Sequence, residues 1–225
     1  MEQNMKSWMR TAIAVAVLGG SFAVQAATTL VQNSYFHGGP SSVLLSGSAT
    51  PNSGTVNAGE FSGLFNGASF LSYCIELNQT FTFGTTYTDY TLTSAVPRLT
   101  APQTTQIGQL LTAAGGFSAA LTASRSAAVQ AGIWEIVYEN AGGPFSLGTG
   151  NFMAAPGSVL ATDITAVNGF LANLGSYSAT AFNVLQSRDH QDFITPVPEP
   201  ETYALMMAGL AGIGFVARRR NARAR

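Results

Sequence analysis

The sequence predicts an α+β fold: a mainly antiparallel β-sandwich or barrel with an inserted helical subdomain, an amino-terminal signal helix and a short carboxyl-terminal membrane helix. Three observations carry this reading. Short β-prone pieces separated by turn signals fill residues 27–96, the apolar period becomes helical between residues 100 and 140, and apolar segments with basic flanks stand at both ends. The boundaries that follow are a signal peptide over 1–26, a β/helical surface domain over 27–194, a proline-rich linker over 195–202, an apolar helix over 203–217 and a basic tail over 218–225.

The β-prone pieces are Thr29-Leu30-Val31, Ser42-Val43-Leu44-Leu45, the run from Ala68 to Cys74, and Phe81-Thr82-Phe83. Gly38-Gly39-Pro40, Pro51-Asn52-Ser53-Gly54, Asn66-Gly67 and Phe83-Gly84 punctuate them as turns. Ile107, Leu110, Leu111 and Ala114 then share one helical face, and Gly115-Gly116 ends that helix. A second helix follows from Ser124 to Tyr138 with Ala127, Ala128, Ala131, Trp134 and Tyr138 in register, closed by Gly142-Gly143-Pro144. A third spans Ser158 to Leu174, and strand patterns return from Tyr177 to Leu185 and at His190-Gln191-Asp192-Phe193-Ile194. Strands from both ends of the body thus close one sheet domain.

The ends determine the compartment. Lys6 and Arg10 precede an apolar run that closes on Val24-Gln25-Ala26, the pattern of a secretory signal peptide cleaved before Ala27. Five of the ten basic residues lie between Arg218 and Arg225. Between residues 27 and 196 only Arg98, Arg125 and Arg188 face eight carboxylates, a net charge of −5. A body with three cations cannot neutralise a phosphate backbone, so nucleic acid is excluded as a partner.

Pro196-Val197-Pro198-Glu199-Pro200 is a stiff, extended linker because proline fixes φ and constrains the residue before it. The apolar segment after it would reach about 22 Å as a helix, short of the ~30 Å hydrocarbon core. Arg218, Arg219 and Arg220 then mark the cytoplasmic side. Val197-Pro198-Glu199-Pro200-Glu201-Thr202-Tyr203, the short apolar helix and the arginine cluster together resemble a PEP-CTERM sorting signal, with Pro198, Glu199 and Pro200 as its motif. That resemblance implies a Gram-negative bacterium, recognition by an exosortase at the inner membrane, processing of the tail, and delivery to the cell surface or to an extracellular polysaccharide matrix, as in a biofilm.

Cys74 is the single cysteine, so an exported chain has no internal disulfide for it. It is an intermolecular bridge, a buried apolar residue or a reactive group. Tyr73-Cys74-Ile75-Glu76, Val129-Gln130-Ala131-Gly132-Ile133-Trp134 and His190-Gln191-Asp192-Phe193-Ile194 together resemble the three motifs of the Cys-Gln thioester domains of bacterial surface adhesins. Val129, Glu135 and His190 depart from the usual residue types there. The resemblance implies a bond between the Cys74 sulfur and the Gln191 side-chain carbonyl, with Gln186 and Gln130 as fallback partners and Tyr73, Gln130 and Trp134 flanking the site. It further implies covalent attachment to an amine on a surface or matrix polysaccharide or on a protein, by a single-turnover binder and not an enzyme. The alternative is a passive structural or carbohydrate-associated matrix protein in which Cys74 is buried and unreactive.

Other chemistry is thin. His37 and His190 with one cysteine make no zinc spacing, and no motif points to a cofactor. Asp189, His190 and Asp192 resemble a hydrolytic cluster only by adjacency, because neighbours on a strand face opposite ways. Trp134, Phe81, Phe83, Tyr87 and Tyr90 read as core or sheet packing in preference to a carbohydrate platform.

Overall fold

The computed structural model describes residues 30–35, 39–94, 98–117, 121–139, 144–197 and 207–213. Its strands are β1 (Leu30–Tyr35), β2 (Ser41–Ser46), β3 (Gly54–Ala58), β4 (Phe61–Phe65), β5 (Ala68–Cys74), β6 (Thr86–Tyr87), β7 (Thr91–Thr93), β8 (Met153–Pro156), β9 (Phe182–Gln186) and β10 (Phe193–Pro196). The helices are α1 (Ala101–Ala114), α2 (Ala123–Tyr138) and α3 (Ala161–Leu171), with a 3-10 turn at Leu174–Ser176. Seven strands form one sheet in the order β6-β1-β4-β5-β10-β9-β7, and three form a second in the order β3-β2-β8. Every pairing is antiparallel. The expected α+β class with antiparallel sheets and helices between strands is what the chain adopts.

Local chemistry sets the elements. Asn66 and Gly67 both have positive φ, 51° and 80°, and join β4 to β5 by the two-residue turn that matches strand twist. Thr100 and Gln103 form a capping box at the start of α1, and Gly115 ends it in the left-handed conformation at φ 98°. The Gln103 amide also donates to the carbonyls of Ile136 and Val137 at 3.1 Å, tying α1 to the last turn of α2.

Helix α2 is buried nearly all round, with eleven of its residues inaccessible, and it sits against α1, α3 and the three-stranded sheet. Gly132 permits that crowding: a Cβ there would lie 2.9 Å from both Leu110 and Val167, side chains of α1 and α3. One edge of α2 fastens the loop before β8. Glu139 accepts from the backbone N–H groups of Asn151 and Phe152 at 2.7 and 2.9 Å, and Glu135 accepts from Ser146 N–H at 2.7 Å.

Glu135 is fully buried, and its second carboxylate oxygen has no hydrogen-bond partner among the described residues. Burial, opposed by the Ser146 bond and reinforced by Glu139, pushes its carboxyl up from 4.5 to about 7. The folded chain therefore holds a proton that the unfolded chain releases above about 4.5. The stabilisation is complete below that pH and lost as pH rises through about 7. Glu135→Gln keeps the acceptor and removes the charge. Thermal unfolding of this variant should show a higher midpoint than the parent at pH 8 and an unchanged one at pH 4.5.

Several expectations shift. Phe81-Thr82-Phe83 is not a strand; the Thr82 N–H donates to the Tyr87 hydroxyl at 2.7 Å instead of entering a ladder. The third helix is shorter than expected, Ala161–Leu171 against 158–174, and the late strands begin at Phe182 and Phe193, five and three residues later than the patterns suggested. β3, β4, β6, β7 and β8 were not anticipated as strands. The signal peptide lies outside the described residues, as do the Gly142-Gly143 helix stop and the basic tail. Of the expected apolar membrane helix over 203–217, residues 207–213 are helical, with Met207, Leu210 and Ile213 exposed. No helix among the described residues is long and apolar enough to cross a membrane.

Candidate functional site

The site forms where β5, β10 and α2 meet. Cys74 is the last residue of β5 and pairs with Phe193, the first residue of β10. The ladder continues one step further, since Ile75 N–H donates to the Asp192 carbonyl at 3.0 Å. Gln191 therefore stands opposite Glu76, and its amide donates to the Glu76 carbonyl at 2.6 Å. With a side-chain period of two, Cys74 and Gln191 fall on the same face as diagonal neighbours, about 7–8 Å apart between backbones and within reach of a long side chain. Both line one cleft of about 390 Å3, together with Trp134.

Helix α2 approaches this point with a stripe at four-residue spacing: Ser126, Gln130, Trp134 and Tyr138. β4 and β5 are paired only from Phe61 opposite Ser72 to Phe65 opposite Ala68, so Cys74 has no β4 partner. The Gln130 amide replaces it. Its carbonyl accepts from Cys74 N–H and its NH2 donates to the Cys74 carbonyl, both at 2.8 Å. Ser126 accepts from Glu60 N–H at 2.5 Å, and the Tyr138 hydroxyl accepts from Leu77 N–H at 2.7 Å. Three members of the stripe thus close the open edge of the chain around Cys74. Trp134, the fourth, is 2 % exposed, and its indole N–H has no partner among the described residues.

The cysteine itself is 2 % exposed. Burial first, and then the Glu76 carboxylate, push its thiol well above the ordinary value. Gln191 is held at both ends, because its backbone carbonyl accepts from the fully buried Tyr90 hydroxyl at 2.7 Å. Next to both runs an ionic cluster. Arg98 contacts Glu76 at 2.7 Å and Asp192 at 2.9 Å, and Asp192 N–H donates to Glu76 at 3.2 Å. Burial, opposed by the Ser187 N–H and Arg98 and reinforced by Glu76, pushes the Asp192 carboxyl up to about 6.

Of the residues singled out in the sequence, Cys74, Gln191, Gln130 and Trp134 come together. Tyr73 does not join them: it alternates to the other face of β5 and packs on Phe117, with ring centroids 5.7 Å apart. Gln130 spends both amide ends on the Cys74 backbone, and Gln186 lies on β9 with β10 between it and β5, so neither fallback glutamine competes geometrically with Gln191. Asp189, His190 and Asp192 form no relay. The His190 Nδ1 faces Asp89 at 3.1 Å and Ser187 at 3.3 Å, and one ring nitrogen cannot serve both nucleophile and orienting acid. Ser187 instead caps a turn, accepting from Asp189 and His190 N–H at 3.1 and 2.9 Å.

The residues that complete the cleft were not identified as site residues. Tyr35 and Phe61 come from β1 and β4, Gln79, Thr80, Phe81 and Phe83 from the loop after β5, and Asn52 and Asn57 from the turn before β3 and from β3 itself. Only their mutual distance in sequence hides them; no local pattern announces a wall built from four segments.

Against known proteins, residues 196–220 match the family model of the PEP-CTERM protein-sorting motif. The chain therefore carries an exosortase sorting signal, which implies export, processing at the membrane and delivery to the cell surface, with an exosortase as processing partner. The match is confined to the tail. No curated protein and no solved structure matches the chain.

Proposed function

We propose that the body is a Cys-Gln thioester domain: an exported surface or matrix protein that attaches covalently to its target through Cys74 and Gln191, acting once per molecule. The observation that carries this reading is the placement of the single thiol and Gln191 on one face of adjacent strands, in one cleft, with Gln130 clamping the cysteine backbone. In the forming step the Cys74 sulfur bonds to the Gln191 side-chain carbon, the carbon–nitrogen bond breaks, and the thiol proton leaves with the nitrogen as ammonia. A thioester lacks amide resonance, so a target amine can then attack that carbon, making an amide and returning the proton to the Cys74 sulfur. Aromatic cover from Trp134, Phe81 and Phe83 keeps water from doing the same. The bond would also close a long loop and restrict the unfolded chain by about 4–5 kcal/mol.

Intact mass of exported protein tests this. The thioester form should be lighter than the encoded mature chain by one ammonia, about 17 Da, and should add one methylamine on treatment, with the label on Gln191. Cys74→Ala should remove both signatures. An unmodified mass with a titratable thiol after unfolding would leave the second reading, a passive matrix protein whose cysteine is packing. That reading has its own support in the complete burial of the Cys74 thiol and its raised pKa.

A further inference from the structure

The cleft above Cys74 and Gln191 has a layered composition. Its floor is buried: Cys74, Gln191 and Trp134. Its wall is aromatic, with Tyr35 tilted against Phe83 at 4.8 Å between centroids and Phe81 edge-on to Phe83 at 5.0 Å. Phe83 packs on Tyr35, Phe61 and Phe81 and still leaves 38 % of its surface open to the cleft. The rim is amide and hydroxyl: Asn52, Asn57 and Thr80 are exposed, and the side-chain carbonyl of Gln79 has no partner among the described residues. No lining residue among the described residues is charged.

These layers discriminate between targets. A lysine ammonium entering this cleft would lose water against a wall with no carboxylate among the described residues to compensate it, which is costly for an unpaired charge. A neutral pyranose presents apolar C–H faces that stack on rings and hydroxyls that pair with amides in both directions. About 390 Å3 is within the usual range of small-molecule sites and accommodates a sugar unit or two.

We propose that this cleft is a saccharide subsite, seating a sugar of a neutral or amino polysaccharide on Phe83 and Tyr35 under the amides of Asn57 and Gln79. The covalent step rests on the thioester reading; the binding itself does not. In that step a hydroxyl or amine of the seated sugar attacks the Gln191 carbon. The carbon–sulfur bond breaks, an ester or amide forms, and the displaced proton ends on the Cys74 sulfur.

Trp134 makes the binding step observable, because the chain has two tryptophans and Trp8→Phe leaves it alone. An N-acetylglucosamine hexamer, whose amines are blocked, should change the emission of Trp134 saturably in full-length Trp8→Phe protein, and equally with Cys74→Ala added. Phe83→Ala and the rim variant Asn57→Ala should each weaken it roughly fivefold, with melting midpoints checked so that a folding defect in one leaves the other decisive. A second arm follows intact mass at about pH 8.5, where an amino-sugar amine is largely neutral and a lysine amine is still charged: a glucosamine hexamer should label wild-type protein faster than Nα-acetyl-lysine, with Asn57→Ala reducing the preference but not the methylamine reaction. Absence of a saturable change, an unchanged affinity in both variants, or faster labelling by the lysine probe would overturn the subsite. Loss of the methylamine reaction alone, with hexamer binding intact, would overturn only the thioester reading.

Discussion

Gln130→Leu should destabilise the protein by about 2–6 kcal/mol and disorder the end of β5. The effect is large because one side chain satisfies two buried backbone groups, the N–H and the carbonyl of Cys74, each at 2.8 Å. Leucine has nearly the same volume and fills the space without bonding to either. The two orphans then each cost about 1–3 kcal/mol, since burial denies them water. Chemical denaturation should show the loss, and hydrogen exchange should place it: faster exchange at Cys74 and Ile75, with α1 unchanged. A variant as stable as the parent would mean that the chain at Cys74 finds another partner when the clamp is gone.

The second large effect belongs to Arg98. Its guanidinium spans Glu76 and Asp192, which are nearly inaccessible and joined to each other through Asp192 N–H. Arg98→Met leaves two buried carboxylates facing one another. The expected loss is about 2–3 kcal/mol at pH 8, reduced from the range for a fully buried pair because Arg98 is itself 41 % exposed. The sign with pH follows from Asp192, whose carboxyl is already pushed up to about 6 by burial. Removing the cation raises it further, so the variant approaches the parent in acid, where the carboxyl is protonated, and falls away from it as pH rises through about 6 and above. Urea midpoints at pH 4.5 and 8 would read this; a loss independent of pH would assign Arg98 a packing role. Because Glu76 and Asp192 adjoin Cys74 and Gln191, the same variant should slow methylamine uptake at pH 8 in protein that carries the thioester.

Much of this site was legible because its parts are local. A lone cysteine ending a β pattern, a glutamine four residues before a tryptophan on a helix, and a glutamine before the last strand are each visible within five residues, and the fold places all three at one point. Ser126 and Tyr138 extend the same four-residue stripe and could have been read with Gln130 and Trp134. Tyr73 falls on the face opposite Cys74 because neighbours on a strand alternate. The strands that escaped notice, such as Gly54–Ala58 and Met153–Pro156, carry small or turn-prone residues and become strands only because β2 lies between them and pairs with both. The cleft wall is non-local in the same sense. Phe81 and Phe83 alternate like strand residues, and what they do depends on β1, β4 and β10 lying beneath them.

The position of β10 bears on when the molecule becomes competent. This strand is among the last parts of the body to be made, yet it lies inside the seven-stranded sheet between β5 and β9, and it ends at Pro196, where the sorting motif begins. Until it is in place the sheet has a gap between β5 and β9, and Cys74 has no glutamine beside it. Closure of the sheet, and any bond at Cys74, therefore depends on the strand that directly precedes the tail the exosortase recognises.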